Sequence, residues 1–300
     1  MASPRPIRAE NLSASIVIAT KNRKEELKRA INSCMKLNGN PGILIFDDGS
    51  DDGTFAYIKE TFPGINIYRE EKSIGLIDAR TKAATLVEED IIFSIDDDAI
   101  FTDENTVVEI LKYFDHPSVG AVTIPYIDIY KSQQVKQIGH SDFNKLLACG
   151  VFRGTAHALR RNIFLKLGGY EKNFVRQGEE SDYAIRMYVN GYFIRVGNSK
   201  PIIHFESPTR DTKFIDYYAA RNSLIIAYKY TPGVILIPYL FWLCIQLYIN
   251  SVNKRTTSSI NKGIKDGIKA IHESIFIRTP MPFFKFIAYK LLLHRNKEIR

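Results

Sequence analysis

The chain has 300 residues, 45% of them apolar and 25% charged, which suits one large globular domain or a domain with an appendage. Three separated cysteines, Cys34, Cys149 and Cys244, argue against a disulfide framework or a Cys/His zinc site and for a reducing compartment. The net charge of +8 resides in the tail: residues 251–300 carry eleven Lys and Arg against three Asp and Glu, and residues 1–250 balance at thirty of each.

A basic tail of this kind suits an anionic surface, either membrane or nucleic acid. Residues 1–13 contain no apolar segment resembling a secretory signal. Ala14 to Thr20 reads as a first strand, and Thr20 or Asn22 is placed to cap a helix over Lys24 to Leu37. Pro41-Gly42 breaks the chain before a second strand, Ile43 to Phe46, which runs into Asp47-Asp48-Gly49-Ser50-Asp51-Asp52-Gly53-Thr54. A helix over Phe55 to Thr61, a strand over Ile65 to Tyr68 and a helix from Gly75 through Val87 follow. Ile91 to Ile95 is an apolar, β-branched run of the kind buried in parallel sheets. The alternation implies a parallel, doubly wound α/β sheet with right-handed crossovers.

That last strand enters Asp96-Asp97-Asp98. Three adjacent carboxylates repel one another, and the carboxyl ends of such strands are where open sheets bind ligands. A hard divalent cation fits this site, and a solvated acidic turn is the plain alternative. GxGxxG after the first strand is absent, as is GxxxxGK[ST] anywhere. Dinucleotide-binding Rossmann and P-loop chemistry are therefore disfavoured. Further on, Val119 to Tyr126 reads as a strand, residues up to Asn144 as a loop, and Leu146 to Phe152 as a strand. Asn162 to Leu167 is a short helix, a second helix runs from Gly178 through Val189, and Tyr192 to Val196 and Ile202 to Phe205 are short strands.

Eight blocks occur in order over residues 14–210. They are SIVIATKNR (Ser15–Arg23), DDGSDDGT (Asp47–Thr54), GLIDARTKA (Gly75–Ala83), DIIFSIDDDAI (Asp90–Ile100), FRGTAHALRR (Phe152–Arg161), LGGYEKNF (Leu167–Phe174), GEESDYAIR (Gly178–Arg186) and IIHFES (Ile202–Ser207). Together they resemble the family 2 inverting glycosyltransferases of bacterial glycan and glycolipid type. The resemblance implies an α/β GT-A fold: a Rossmann-like, mostly parallel central sheet flanked by helices, with a C-terminal helical, partly apolar extension. It places the catalytic domain at 1–210 and the extension at 211–300. It implies hexosyl or related sugar transfer from a nucleoside-diphosphate-sugar donor to a hydroxyl of a glycan or glycolipid acceptor, assisted by Mn²⁺ or Mg²⁺.

By the same resemblance, Asp98 is the direct metal ligand, Asp96 lies nearer the donor ribose and shares the metal, Asp97 adjoins them, and His204 supplies a further ligand. Asp48, with Asp47 beside it, accepts from the nucleotide base, and Thr20 and Arg23 line the same pocket. Arg80 stands where the family often has Arg-Asn, but Thr81 replaces the Asn, and an exposed helix-face charge is an equal reading. The family places a base in a Glu-Asp pair at a helix start. Here Glu179-Glu180 takes that place, with Glu180 as base and Asp182 and Arg186 in support. Two adjacent acids tend to raise one pKa, which suits a base. Acids favoured by a helix dipole are the plain alternative. Gly154-Thr155 would line the acceptor side.

Asp211 to Tyr230 reads as an aromatic helix carrying Tyr217-Tyr218 and Arg221-Asn222, and it resembles helices that follow the core in bacterial members. Tyr230 to Asn253 carries no charge, which is long enough for a membrane span. A span would put the basic tail opposite the catalytic domain, and both prefer the cytosolic side. An interfacial or re-entrant element is therefore expected at the inner face of the membrane, with a second one over Phe283 to Leu293. Core helices that close the domain are the alternative, and no nucleic-acid-binding module is recognisable. A nucleotidyltransferase, or a catalytically silent scaffold that kept the fold, are the rival functions.

Overall fold

The computed structural model describes residues 11–137, 146–206, 211–254, 256–294 and 297–299. The last part of the loop expected between Tyr126 and Asn144, from residue 138 on, lies outside the described residues, as do Ser207-Pro208 and residues 1–10; the earlier part of that loop holds two short strands, Tyr126–Asp128 and Val135–Lys136. Strands β1 (Ala14–Thr20), β2 (Gly42–Asp47), β3 (Asn66–Arg69) and β4 (Ile91–Asp96) alternate with helices α1 (Lys24–Cys34), α2 (Thr54–Thr61) and α3 (Leu76–Leu86). β1 pairs in parallel with both β2 and β4, and β2 with β3.

The apolar runs form strands buried on both faces. Ile16 and Ile18 of β1 pack with Ile45, Phe93 and Ile95 on one side. Val17 and Ala19 pack with Leu44, Phe46 and Ile92 on the other. This is the period of two expected when helices cover both faces of a sheet, and each fully buried large side chain contributes roughly 1.5–3 kcal/mol.

Beyond β4 the chain continues through β5 (Ala99–Ile100), α4 (Thr106–Leu111), β6 (Val119–Thr123), β7 (Tyr126–Asp128), β8 (Val135–Lys136), β9 (Leu146–Cys149), β10 (Ala156–Arg160), α5 (Arg161–Lys166), α6 (Glu179–Val189), β11 (Phe193–Val196) and β12 (Ile202–His204). The main sheet has nine strands in the order β13-β9-β11-β6-β10-β4-β1-β2-β3, with β13 at Lys297–Ile299. The parallel arrangement expected of the first half holds for β1 to β4, and β10 adds an antiparallel strand between β4 and β6. A second, four-stranded sheet has the order β5-β12-β7-β8.

Three local expectations also change. The strand expected over Val119 to Tyr126 is two strands in different sheets, because Pro125 offers no N–H to continue a ladder. The strand from Leu146 stops at Cys149. Neither Thr20 nor Asn22 caps α1, whose cap position is Arg23 with no side-chain bond. Asn22 instead takes a left-handed backbone (φ 55°) and bonds to Asp51, while Thr20 bonds to Asp97.

The C-terminal region is helical, with α7 (Thr212–Tyr230), α8 (Leu236–Lys254), α9 (Thr257–His272) and α10 (Phe283–His294). α7 starts with the Asp211 carboxylate accepting from the Phe214 N–H, a regular N-cap. Gly263 and Gly267 let α9 lie close to α7: a Cβ at Gly263 would stand 2.4 Å from the Tyr217 carbonyl oxygen.

Candidate active site

A cleft of about 910 Å³ opens at the carboxyl ends of β1 and β4 and extends to the second sheet and the start of α6. β4 delivers Asp96 there, and Asp97 and Asp98 turn into β5. Each of the three acids has a cationic neighbour. The Arg23 guanidinium bridges Asp97 (3.0 Å) and Asp98 (2.9 Å), and the Thr20 hydroxyl also donates to Asp97 (2.8 Å). Arg80 pairs with Asp96. Burial pushes the Asp97 carboxyl up to about 7, against the pull of Arg23. Burial works the same way on Asp98, but the His204 hydrogen bond and charge, and then Arg23, outweigh it and hold that carboxyl below its ordinary value.

The second sheet brings His204 to this group. β12 lies between β5 and β7, with His204 opposite Ala99 on one side and Asp128 on the other. His204 Nε2 faces Asp98 Oδ1 at 3.2 Å and Asp96 Oδ2 at 3.6 Å, and its Nδ1 bonds to Asp128. Lys136 of β8 holds the other Asp128 oxygen. Donor atoms of Asp96, Asp98 and His204 lie within 4.8 Å of one another. Buried Asp98 Oδ1 meets no donor other than that His204 nitrogen. Two carboxylates and an imidazole fit a hard-to-borderline divalent cation such as Mn²⁺ or Mg²⁺. The Asp128 carboxylate on Nδ1 orients the ring so that Nε2 faces Asp96 and Asp98. Asp128, His204 and Glu206 form a second group of this kind, but Lys136 and Lys131 pair with its two acids.

The opposite wall carries the carboxylate pair. Glu179 is buried and Glu180 half-buried in the first turn of α6, and both line the cleft. Arg80 is 7% exposed, so it is not a helix-face charge: it lies between Asp96 and Glu179, 4.0 Å from the latter. Gly154 makes room for this approach, because a Cβ there would stand 2.4 Å from Glu180 Oε1 and 3.0 Å from Arg80 Nη1. Burial and then the Glu180 charge push the Glu179 carboxyl up to about 8, against Arg80. Glu179 Oε2 is buried without a hydrogen-bond partner. The residue whose pKa the adjacent acids raise is thus Glu179.

Three other expected site residues line the cleft less directly or not at all. Asp48 borders it, and its carboxylate accepts from the Ser73 hydroxyl (2.6 Å) and the Ile74 (2.7 Å) and Gly75 (3.0 Å) N–H groups, which fixes the turn into α3. Asp47 is fully buried behind it, accepting from the Ser50 N–H at 2.9 Å. Asp182 lies one turn beyond Glu179, buried away from the cleft. It accepts from Arg186, Lys229 and Tyr230 at 2.7 Å each. The sequence reading missed Asp128, Lys136 and Arg153 of the cleft wall. The only signal for Asp128 was a short apolar run before it, Ile124 to Ile127, interrupted by Pro125.

The mixed sheet with acids at the end of β4, a second small sheet and a carboxylate-bearing helix define a GT-A glycosyltransferase fold. Residues 15–179, more than half of the chain, match the model of glycosyl transferase family 2, and the chain belongs to that family. It is similar to the glucosyl-dolichyl phosphate glucuronosyltransferase of Haloferax volcanii, with 25% identity over 206 residues, covering 59% of this chain and 64% of the relative. It is also similar to the O-antigen chain rhamnosyltransferase RfbN of Salmonella typhimurium, with 24% identity over 193 residues, covering 59% and 60%. The chain thus spans less than two thirds of the length of these relatives.

Among solved structures, the fold resembles a mannosyltransferase from Pyrobaculum calidifontis in complex with GDP-Man and Mn²⁺. The TM-score is 0.59, the identity 18%, and the match covers 97% of this chain and 81% of that one. It also resembles residues 1–349 of S. aureus TarS in complex with UDP-GlcNAc, with TM-score 0.56, 14% identity and coverage of 72% and 66%.

Proposed function

We propose that the protein transfers a sugar from a nucleoside-diphosphate-sugar to a hydroxyl of a glycan or glycolipid, with inversion, in surface glycan or glycolipid assembly. The observation that carries this reading is the convergence of Asp96, Asp98 and His204 on one wall of the cleft that holds Glu179 and Glu180 on the other. Asp98 and His204, with Asp96, would hold Mn²⁺ or Mg²⁺, which when bound supplies a Lewis acid for the diphosphate leaving group. Thr20 and Arg23 at the end of β1, with Asp48, line the donor side. Arg23 pairs with Asp97 and Asp98, and Arg80 with Asp96, so each of the three adjacent acids meets a guanidinium. Glu180 takes the proton of the acceptor hydroxyl as general base. Glu179 and Arg80 set the charge around it.

The test is Glu180→Gln. Donor binding stays within about twofold, while transfer falls by about 10²–10⁴. Normal transfer by this variant removes Glu180 as the base. A nucleotidyltransferase would need a Gly-rich, basic loop after β1, where Lys21-Asn22-Arg23 stands. A silent scaffold would leave the Asp98–His204 pair without use.

The same reading places the protein on the cytosolic face of a membrane. Gly233–Val252 is long and apolar enough to cross a membrane, with a mean hydropathy of 1.7. Ile237, Phe241, Ile245, Ile249 and Val252, at helical spacing, turn one apolar stripe of α8 outward. Phe284, Ile287 and Leu291 do the same on α10. Tyr239 of α8 packs on Phe286 of α10, and Lys290 bonds to the Tyr239 hydroxyl, so the two stripes are tied together. Fastened to its domain along one side and apolar along the other, α8 suits a place in the interface plane. The basic tail supplies attraction to anionic lipid.

A further inference from the structure

The loop that carries the carboxylate pair into the cleft is held by a residue outside the matched core. Gln177 and Gly178 immediately precede α6, and both take left-handed backbone conformations, with φ of 65° and 93°. For glutamine this conformation is unfavourable by roughly 1–2 kcal/mol and persists only where surroundings enforce it. α6 has no side-chain N-cap to enforce it, since its cap position is Gly178. The restraint comes from α7. The Asn222 amide donates to the Arg176 carbonyl (2.8 Å) and to the Gln177 carbonyl (2.6 Å). Asn222 is fully buried, and its own oxygen accepts from the Arg221 guanidinium at 2.7 Å. That contact fixes which end of the amide faces the loop, because a guanidinium only donates. Gly178 is pressed against the same side chain: a Cβ on it would lie 3.2 Å from Asn222 Cβ. One turn further along α6, Lys229 and Tyr230 of α7 grip Asp182. α6 is thus clamped by α7 at its entry and at its second turn.

We infer that Asn222 is a positioning residue for transfer: by holding the Arg176 and Gln177 carbonyls it sets the left-handed entry to α6 and so the aim of Glu180. The catalytic centre is then incomplete without α7. This inference rests on the reading of Glu180 as base. A carboxylate set wrongly by about 1 Å loses roughly 10²-fold in rate, whereas the donor wall at Asp96–Asp98 and His204 is built from other elements.

The experiment uses the full chain and compares Asn222→Asp, Glu180→Gln and their combination. Asn222→Asp keeps the shape and the Arg221 partner but removes both donors. Binding of a donor nucleoside diphosphate with Mn²⁺ stays within about twofold, kcat falls about 30–100-fold, and the double variant is no slower than Glu180→Gln alone. Transfer at the normal kcat by a folded Asn222→Asp protein overturns the inference, as does loss of donor binding in parallel with kcat. Turnover by Glu180→Gln instead overturns the base assignment, so the two failures are distinct. Should Asn222→Asp fail to fold, Asn222→Ala with and without Gln177→Gly replaces it. Glycine takes the left-handed conformation freely, so adding it recovers at least about tenfold of the lost kcat. A folded pair with no recovery contradicts the role.

Discussion

The catalytic core and the C-terminal helices arrange charge and apolar surface in opposite ways. In the core, Ile16, Ile18, Phe46 and Phe93 are hidden between sheet and helices, and the charges converge in the cleft, nearly every carboxylate matched by Arg23, Arg80, Lys136 or His204. In the C-terminal region, buried polar groups such as Asn222 and Lys229 face the core, while Phe241, Trp242 and Phe284 face outward. The first arrangement suits a highly charged, water-soluble donor. The second suits a surface that water avoids. α7 belongs to both, since it clamps α6 on one side and leads into α8 on the other.

The comparison breaks most severely at the wall of Asp96, Asp98 and His204. Asp98→Ala removes a carboxylate that faces His204 and leaves Arg23 with Asp97 and the more distant Glu26, and metal-dependent donor binding falls by more than about 100-fold, read by calorimetry. Retained binding in the presence of Mn²⁺ would contradict the assignment of Asp98.

On the other side of the comparison, Phe241→Asp with Ile245→Asp places charge in the α8 stripe without touching the cleft. Binding to vesicles containing anionic phosphatidylglycerol falls by about tenfold or more, with donor binding unchanged. Because Trp242 is the one tryptophan of the chain, its emission reports docking directly. A blue shift on adding vesicles is expected, weaker at high salt.

The smallest effect concerns stability. Glu179 has a carboxyl raised from 4.5 to about 8 in the fold. A raised acid is protonated in the native state and ionised in the unfolded chain between these values, so folding takes up a proton and stability falls as pH rises through that window. Glu179→Gln, which mimics the protonated form, therefore raises Tm by about a few degrees at pH 8 and changes it little near pH 4.5. A gain that is the same at both pH values would show that Glu179 is not the group involved.

β1, β2 and β4 were legible because both of their faces are buried, which makes each a short, nearly continuous apolar run. The candidate site was legible where it is local in sequence, at Asp96 to Asp98 and at Glu179-Glu180. It was hidden where distant segments meet. Asp128 reaches His204 through the pairing of two three-residue strands, too short to leave a periodic signal. β10 was overlooked because His157 and Arg160 look exposed, yet His157 is buried between Tyr170 and the Arg153 carbonyl, and Arg160 spans to the Phe114 and Val119 carbonyls. α9 was overlooked because Gly263 and Gly267 lower helix propensity, although both are what allow α7 to approach. Asn222 stood in view within Arg221-Asn222, but its partners lie 45 and 46 residues earlier.

The central claim is a metal-dependent donor site, and it is tested most directly by calorimetric titration of a panel of nucleoside-diphosphate-sugars into the full chain, with Mn²⁺ and with chelator. The account predicts that one donor binds with Mn²⁺ and is lost on chelation. Donor binding that is equally tight with chelator, or no binding to any donor in the presence of both Mn²⁺ and membrane vesicles, would contradict it.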